Sequence, residues 1–188
     1  MKARSRFLLA TLCGLVLAAG VHIVAILASP HLARNDAFAK VQSTLTAEHA
    51  QVISPPGGQN TWLPKPDPAV AVAACAFDLR NGPMRVAAKT GPLFLSFSFH
   101  SRAGGVFFAV TDRAAVRGEL EIVAMTARQL DEARAEEDEN EPSRDVRIVS
   151  PVQQGYVIVR VAAPNQSLHP QADEAARAVS CTTDQDEE

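Results

Sequence analysis

The hydrophobic pattern of the chain opens with one long apolar run. Residues 7–27 contain no Lys, Arg, Asp or Glu and few other polar side chains. At 1.5 Å per residue, a helix over this run is about 31 Å long, which matches the hydrocarbon thickness of a bilayer. We therefore predict a transmembrane helix over 7–28, preceded by a basic start over 1–6.

A cleaved signal peptide is the alternative interpretation of this segment, because such a peptide also begins with basic residues. Its apolar region normally covers only about 7–15 residues and ends at a cleavage site with small side chains. Ala28 suits the last position of such a site, but Ile26, two residues before it, is large and branched. The pattern therefore favours an uncleaved anchor.

The basic residues around the apolar run predict its orientation. Lys2, Arg4 and Arg6 precede the run, whereas Arg34 and Lys40 are the first basic residues after it. Because basic residues concentrate on the cytoplasmic side, the amino terminus is predicted to lie in the cytoplasm. In a bacterium, the anchor would then lie in the inner membrane and the main domain in the periplasm.

Residues 29–68 are predicted to join the anchor to the exported domain. Apolar positions over 35–50 fit a short juxtamembrane helix. Prolines and glycines recur over 51–68, and proline removes a backbone donor and restrains the residue before it. We therefore predict an extended linker over 51–68.

From Ala69 onward, the hydrophobic period changes to two. Apolar and polar residues alternate along 95–100, which is typical of a strand with one buried face. A turn over 102–105 is predicted to join this strand to a returning partner. About seven short strands are predicted in all, over 70–79, 84–88, 95–100, 106–111, 119–124, 146–150 and 156–162.

Two stretches of the exported domain are predicted to be helical. Thr126 followed by Gln129 fits a capping box, and predicts a helix over about 127–138. Pro170 suits the first turn of a second helix, which is predicted to end near Cys181.

Together these elements predict an α+β fold, mostly antiparallel β and sandwich-like, over 69–183, with an acidic tail over 184–188. The net charge of −3 and the pI near 6.0 exclude electrostatic binding to nucleic acid, which needs a dense cationic surface. An acidic stretch over 131–145 lacks the ligand spacing and the glycine of a calcium loop. We interpret it as a solvated helix end and loop.

The state expected for the cysteines depends on the compartment in which the domain lies. Cys75 and Cys181 are the only cysteines in the proposed exported domain, and in an oxidising compartment one bridge between them is expected. The alternative is two reduced cysteines that act as small core residues. Cys13 lies within the apolar run and is expected to stay unpaired.

Four residues are candidates for a nucleophilic site, because they are predicted to lie on neighbouring hairpin strands. They are Ser96, Ser98, His100 and Asp112. The sequence has no strand–turn–helix elbow around a serine, and ordinary alternation also produces Ser and His on the wet face of a strand. The five histidines never lie three to five residues apart, and phosphate-binding glycine loops are missing. We therefore expect no metal and no cofactor, and hold these four residues as weak catalytic candidates.

Several short segments carry a resemblance to a known family. They are Pro30-His31, 75–79, 82–86, 94–99, 111–113, 155–160 and 178–181. In this order, the segments resemble the short membrane-anchored bacterial proteins grouped with the domain of unknown function 1254. The resemblance implies an integral membrane protein of proteobacterial type with an exported domain, and it implies no catalytic residues.

Two functional hypotheses follow. The first is a single-pass, membrane-anchored envelope protein whose β-rich periplasmic domain is a binding or accessory module; its partners would be the lipid bilayer and another envelope protein. The second is a membrane-tethered periplasmic hydrolase or small-ligand enzyme that uses the face with Ser96, Ser98, His100 and Asp112.

Overall fold

The computed structural model describes residues 3–32, 37–136 and 145–183. The chain divides into two compact units, Met1–Asp36 and Ala37–Glu188. The acidic tail predicted over 184–188, and residues 137–144 of the predicted acidic stretch, lie outside the described residues.

The first unit contains a single long helix, α1 (Ala3–Leu32). Its apolar side chains are exposed along its length, including Phe7 and Leu27. The segment Ala3–Ser29 has a mean hydropathy of 2.3 in its most apolar window and is, among the described residues, the one helix long and apolar enough to cross a membrane. The predicted helix over 7–28 is therefore present and extends beyond both of its predicted ends.

The second unit is a sandwich of two sheets. The five-stranded sheet has the order β1-β2-β8-β4-β5, and the four-stranded sheet has the order β7-β6-β3-β9. All pairings are antiparallel except that of β6 with β7. The strands are β1 (Gln51–Ser54), β2 (Val70–Asp78), β3 (Met84–Lys89), β4 (Leu95–Ser101), β5 (Val106–Thr111), β6 (Glu119–Met125), β7 (Val146–Val149), β8 (Gln154–Ala162) and β9 (Ser180–Thr183).

The described residues of this unit also form three short α-helices: α2 (Ala37–Val41), α3 (Ala127–Glu136) and α4 (His169–Arg177). The predicted capping box of α3 is confirmed, since the Thr126 amide donates to Gln129 Oε1 at 2.8 Å and the Gln129 amide donates to Thr126 Oγ1 at 3.3 Å. The end of this helix predicted at 138 lies outside the described residues.

The predicted α+β fold is confirmed, with two corrections to its elements. The described residues contain nine strands rather than about seven. The linker prediction is wrong over 51–54, because this stretch precedes the prolines and pairs with β2 as β1. The second helix is shorter than predicted, because the chain turns after Arg177 and carries Cys181 into β9, where it pairs with Val86 of β3.

The prediction of a helix over 35–50 is correct only for its first part. Helix α2 is followed by a 3-10 turn (Gln42–Thr44). The chain then runs to the other sheet, where His49 forms a bridge with Ser180 and the Ala50 amide donates to the Val179 carbonyl at 2.9 Å. Tertiary hydrogen bonds to β9 thus take the place of further helical ones.

Two apolar clusters hold the sandwich together. The main core lies between the sheets and includes Phe77, Phe97, Phe99 and Ile122, with small residues of α4 at its margin. Alternation along β4 places Leu95, Phe97 and Phe99 in this core, as the sequence predicts. Burial of these large side chains provides the main driving force for folding.

The second cluster lies on the outer face of the five-stranded sheet. Phe38 and Val41 of α2 pack there with Ile53 and with residues of β2 and β8, among them Val72 and Ile158. Strand β2 is therefore covered on both faces. Because both faces of β2 are buried, its sequence is apolar at nearly every position and does not alternate between apolar and polar residues.

A disulfide bond crosses the core between the two sheets. Cys75 on β2 is bonded to Cys181 on β9, with 6.5 Å between their Cα atoms. Both residues are buried. The predicted pairing is therefore present in the structure, while Cys13 is free and exposed.

Candidate binding cleft

Polar side chains gather on the outer face of the five-stranded sheet, next to the second apolar cluster. On β4, Ser98 and His100 point to this face, and strand β8 pairs with β4 so that Ser98 lies opposite Ile158 and His100 opposite Tyr156. Arg160 follows two residues later on the same face of β8. Because side chains alternate between the two faces of a strand, Ser98 and His100 of β4 lie on this face beside Tyr156 and Ile158 of β8.

The first part of the domain covers this face. The Thr44 hydroxyl accepts a hydrogen bond from the Ala76 amide of β2 at 2.6 Å and donates to the Val41 carbonyl at 2.6 Å. Thr44 itself is buried. Ala76 lies just beyond the pairing of Gln51, the first residue of β1, with Ala74. Because the Thr44 hydroxyl accepts from the Ala76 amide there, it fixes the 3-10 turn and α2 onto the sheet.

The proline-rich segment forms a second wall. The Gly57 amide donates to the Pro68 carbonyl at 2.9 Å, which closes residues 57–68 into a loop. Within it, Trp62 lies under the Lys40 ammonium, which is 4.5 Å from the ring centroid. This cation–π contact ties the loop to α2.

Between these walls and the sheet lies a cleft of about 410 Å³. Its volume falls in the range of small-molecule sites. Most of its lining is apolar, and the charged or polar groups are few. The lining residues are Ala37, Ile53, Trp62, Leu63, Lys65, Asp67, Val70, Val72, His100, Tyr156, Ile158 and Arg160.

Hydrogen bonds show that one ring nitrogen of His100, at the polar end of the cleft, carries a hydrogen. His100 Nδ1 lies 3.3 Å from the Gly104 carbonyl, which can only accept, so Nδ1 carries the hydrogen. His100 Nε2 lies 3.0 Å from Ser98 Oγ and accepts its hydrogen, while Arg160 Nη1 donates to the same oxygen at 2.9 Å. The imidazole also stacks on Tyr156, with 4.9 Å between the ring centroids.

The electrostatics of this end favour the neutral form of the histidine. Burial lowers the pKa of His100, the Gly104 hydrogen bond raises it by a smaller amount, and the nearby Arg160 charge adds a still smaller lowering. The positive charge of the cleft therefore resides on Arg160 and Lys65. The Asp67 carboxylate accepts the Ala69 amide at 2.9 Å, which holds it in a turn.

The four residues predicted as weak catalytic candidates are only partly brought together. Ser98 and His100 are hydrogen-bonded, and Ser96 lies opposite Arg160 in the sheet. Asp112 begins a 3-10 turn after β5, and no hydrogen bond joins it to Ser98 or His100 within the described part of the chain. A Ser-His-Asp triad is therefore not assembled.

Sequence reasoning missed Arg160 and the loop residues of the cleft. Arg160 continues the alternation of Tyr156 and Ile158 along β8, which places its side chain on the same face, but only the sheet order places it beside Ser98. In residues 3–32, 37–136 and 145–183, there is no group of three or more His, Cys, Asp or Glu that could hold a metal ion.

Comparisons with known proteins concern the fold alone. No family model and no curated protein sequence matches the chain, so the resemblance to the domain of unknown function 1254 stays a prediction. The VPA0106 protein from Vibrio parahaemolyticus is similar in structure, with a TM-score of 0.53 and 11% identity over 78% of this chain and 32% of that one. An uncharacterized protein from Burkholderia cenocepacia gives a TM-score of 0.45 and 14% identity over 80% of this chain and 44% of that one. The chain thus spans less than half the length of either protein.

Proposed function

We propose that this protein is a single-pass, membrane-anchored envelope protein whose β-sandwich is a binding module. In the proposal, α1 anchors the chain in a bacterial inner membrane with its amino terminus in the cytoplasm. The sandwich lies in the periplasm, where another envelope protein is its partner. The observation that carries the binding role is the cleft, which combines an apolar lining with a few convergent polar groups.

Two features support the location. The apolar window of α1 is long enough to cross a bilayer, and the buried Cys75–Cys181 bond fits an oxidising compartment, since cytosolic proteins rarely keep structural disulfides. The basic residues that precede the apolar run, Lys2, Arg4 and Arg6, favour the stated orientation.

Thiol labelling of the full-length protein tests the location. A Cys13→Ala variant leaves Cys75 and Cys181 as the only thiols, and the protein is recovered from bacterial membranes under denaturing, non-reducing conditions. We expect no labelling until a reductant is added. Free labelling without reductant would overturn export, because both cysteines would then be reduced in the cell.

A hydrolase is the second candidate, because the 3.0 Å contact between Ser98 Oγ and His100 Nε2 has the geometry of a nucleophile and its base. Two observations favour binding instead. Arg160 donates to the same Ser98 oxygen and withdraws electron density from it, and Ser98 is 8% exposed and does not line the cleft. We assign Ser98 the role of positioning His100 and Arg160.

A fluorophosphonate probe separates the two candidates, because it reacts with activated serines. We expect no adduct at Ser98 of the membrane-embedded full chain. An adduct that disappears in Ser98→Ala but remains in the exposed-serine control Ser167→Ala would favour the hydrolase over the binding module.

A further inference from the structure

The charges of the cleft point to the ligand it takes. Arg160 and Lys65 line it, and neither forms an ion pair within the described part of the chain. The guanidinium of Arg160 has five donors, and one of them is used by Ser98 Oγ. The remaining donors are available at the mouth of an apolar cleft.

The other polar groups of the cleft are already engaged. The ring nitrogens of His100 contact Gly104 and Ser98, and the Asp67 carboxylate accepts a backbone amide. Counting formal charges with a neutral histidine, two cations and one anion line the cleft. The net charge of the lining is positive although the net charge of the chain is −3.

Cations, neutral apolar molecules and carboxylates would each interact differently with this lining. A cation would face two like charges. A neutral apolar molecule would remove water from the Arg160 donors and give them no acceptor, which is unfavourable. A carboxylate satisfies these donors in the planar, two-bond geometry that arginine prefers, while an apolar body attached to it covers Val72, Ile158 and Leu63.

We infer that the cleft binds a carboxylate attached to an apolar body, with Arg160 as the main carboxylate ligand and Lys65 as a second cation. This inference rests on the proposed binding function and names its ligand class. Two sources share this chemistry, a small free acid and the carboxyl terminus of a peptide.

Trp62 provides a reporter for the test, because it lines the cleft and is the only tryptophan of the chain. The full chain is placed in nanodiscs of zwitterionic phosphatidylcholine, and Trp62 fluorescence is followed in titrations. The probes are two matched pairs, hexanoate with hexanamide, and N-acetylleucine with N-acetylleucinamide. The first pair represents a free acid and the second a peptide terminus.

We expect each acid that binds to do so about ten- to a hundredfold more tightly than its amide, the difference typical of a hydrogen bond to a charged group. Arg160→Gln is expected to remove this preference, and Lys65→Gln to reduce it a fewfold. Arg128→Gln on α3 is the control, because the Arg128 side chain is 80% exposed and pairs with Glu132 four residues on. It should bind as the unsubstituted protein does.

The outcomes separate the inference from the proposed function. Equal binding of acids and amides would overturn the carboxylate assignment and leave the cleft as a binding site. The absence of any saturable fluorescence change up to about 10 mM of every probe would overturn both. If only the N-acetylleucine pair shows the preference, the source is a peptide terminus; if only the hexanoate pair does, it is a free acid.

Discussion

Phe77 and Gly155 lie directly opposite each other on β2 and β8, and a Cβ added at Gly155 would stand 2.5 Å from Phe77 Cζ. The same Cβ would also meet the carbonyl oxygen of His100. A glycine is therefore needed here for close approach of a ring and a neighbouring strand. The contact links the main core to the strand that carries the polar end of the cleft.

Gly155→Ala is expected to lower the free energy of unfolding by about 2–3 kcal/mol, because the added methyl group overpacks a rigid site. Gly91→Ala is the matched control, since a Cβ there meets no atom within 4 Å. Chemical denaturation of both variants measures the difference. Equal stability of the two variants would contradict the close approach.

Loss of the disulfide is expected to lower the free energy of unfolding by more than Gly155→Ala does. Cys75 and Cys181 are separated by 106 residues, and closing a loop of this length is worth about 4–5 kcal/mol in the chain-entropy model. The double variant Cys75→Ala/Cys181→Ala should therefore unfold at a much lower denaturant concentration, whereas Cys13→Ala, which removes a free thiol, should not. An unchanged midpoint in the double variant would show that the bond does not stabilise the sandwich.

Asp78 is expected to make stability depend on pH in the acid range. Side-chain hydrogen bonds from Arg80 hold the pKa of Asp78 well below its usual 3.8, with a further contribution from Gln154 and an opposing effect of burial. Because the folded-state pKa is lowered, the stabilisation is complete above the unfolded pKa and is lost as the pH falls below about 4.

Asp78→Asn should thus cost about 1 kcal/mol at pH 7, since Arg80 is largely exposed and the pair is screened. The difference from the unsubstituted protein should shrink between about pH 4 and pH 2. Urea unfolding over this range measures it, with Asp173→Asn as the control, because Asp173 pairs with Arg177 on the surface of α4. A pH-independent difference would contradict the ionic role of Asp78.

Two buried serines are expected to respond to alanine substitution with opposite signs. Ser54 is completely buried, and its hydroxyl has no hydrogen-bond partner among the described residues. The Ser150 hydroxyl donates to the Val152 carbonyl at 2.7 Å. Ser54→Ala should therefore raise the free energy of unfolding by up to about 1 kcal/mol, and Ser150→Ala should lower it by about 1 kcal/mol.

Thermal unfolding of the two alanine variants side by side gives the comparison. Destabilisation by both substitutions would indicate that Ser54 has a partner after all, such as a buried water.

The sandwich could be predicted from the sequence wherever alternation was long enough to be seen. Apolar and polar residues alternate over 95–100, and these six residues predict nearly the whole of strand β4. Strands β1 and β9 have four residues each, too few to establish a period, and they exist because β2 and β3 offer them partners. Such tertiary pairing overrides local preference.

The cleft was harder to predict for a related reason. Alternation places Ser98 and His100 on one face of β4, but it does not tell which strand lies beside them. Arg160 joins them only because β8 pairs with β4, 62 residues away along the chain. The loop that contains Trp62 is predicted as a linker, because its prolines exclude helices and strands. Prolines do not exclude a loop with one fixed conformation.

The order of strands has a consequence for how the protein is made. Strand β2 lies between β1 and β8, and residues that meet across β2 and β8, such as Asp78 and Gln154, are 76 positions apart. During synthesis, the apolar β2 therefore stays unpaired on one side until β8 has been made. Folding through such distant contacts is slow and exposes the nascent chain to aggregation. We expect the newly made protein to depend on a holding chaperone until β8 has paired.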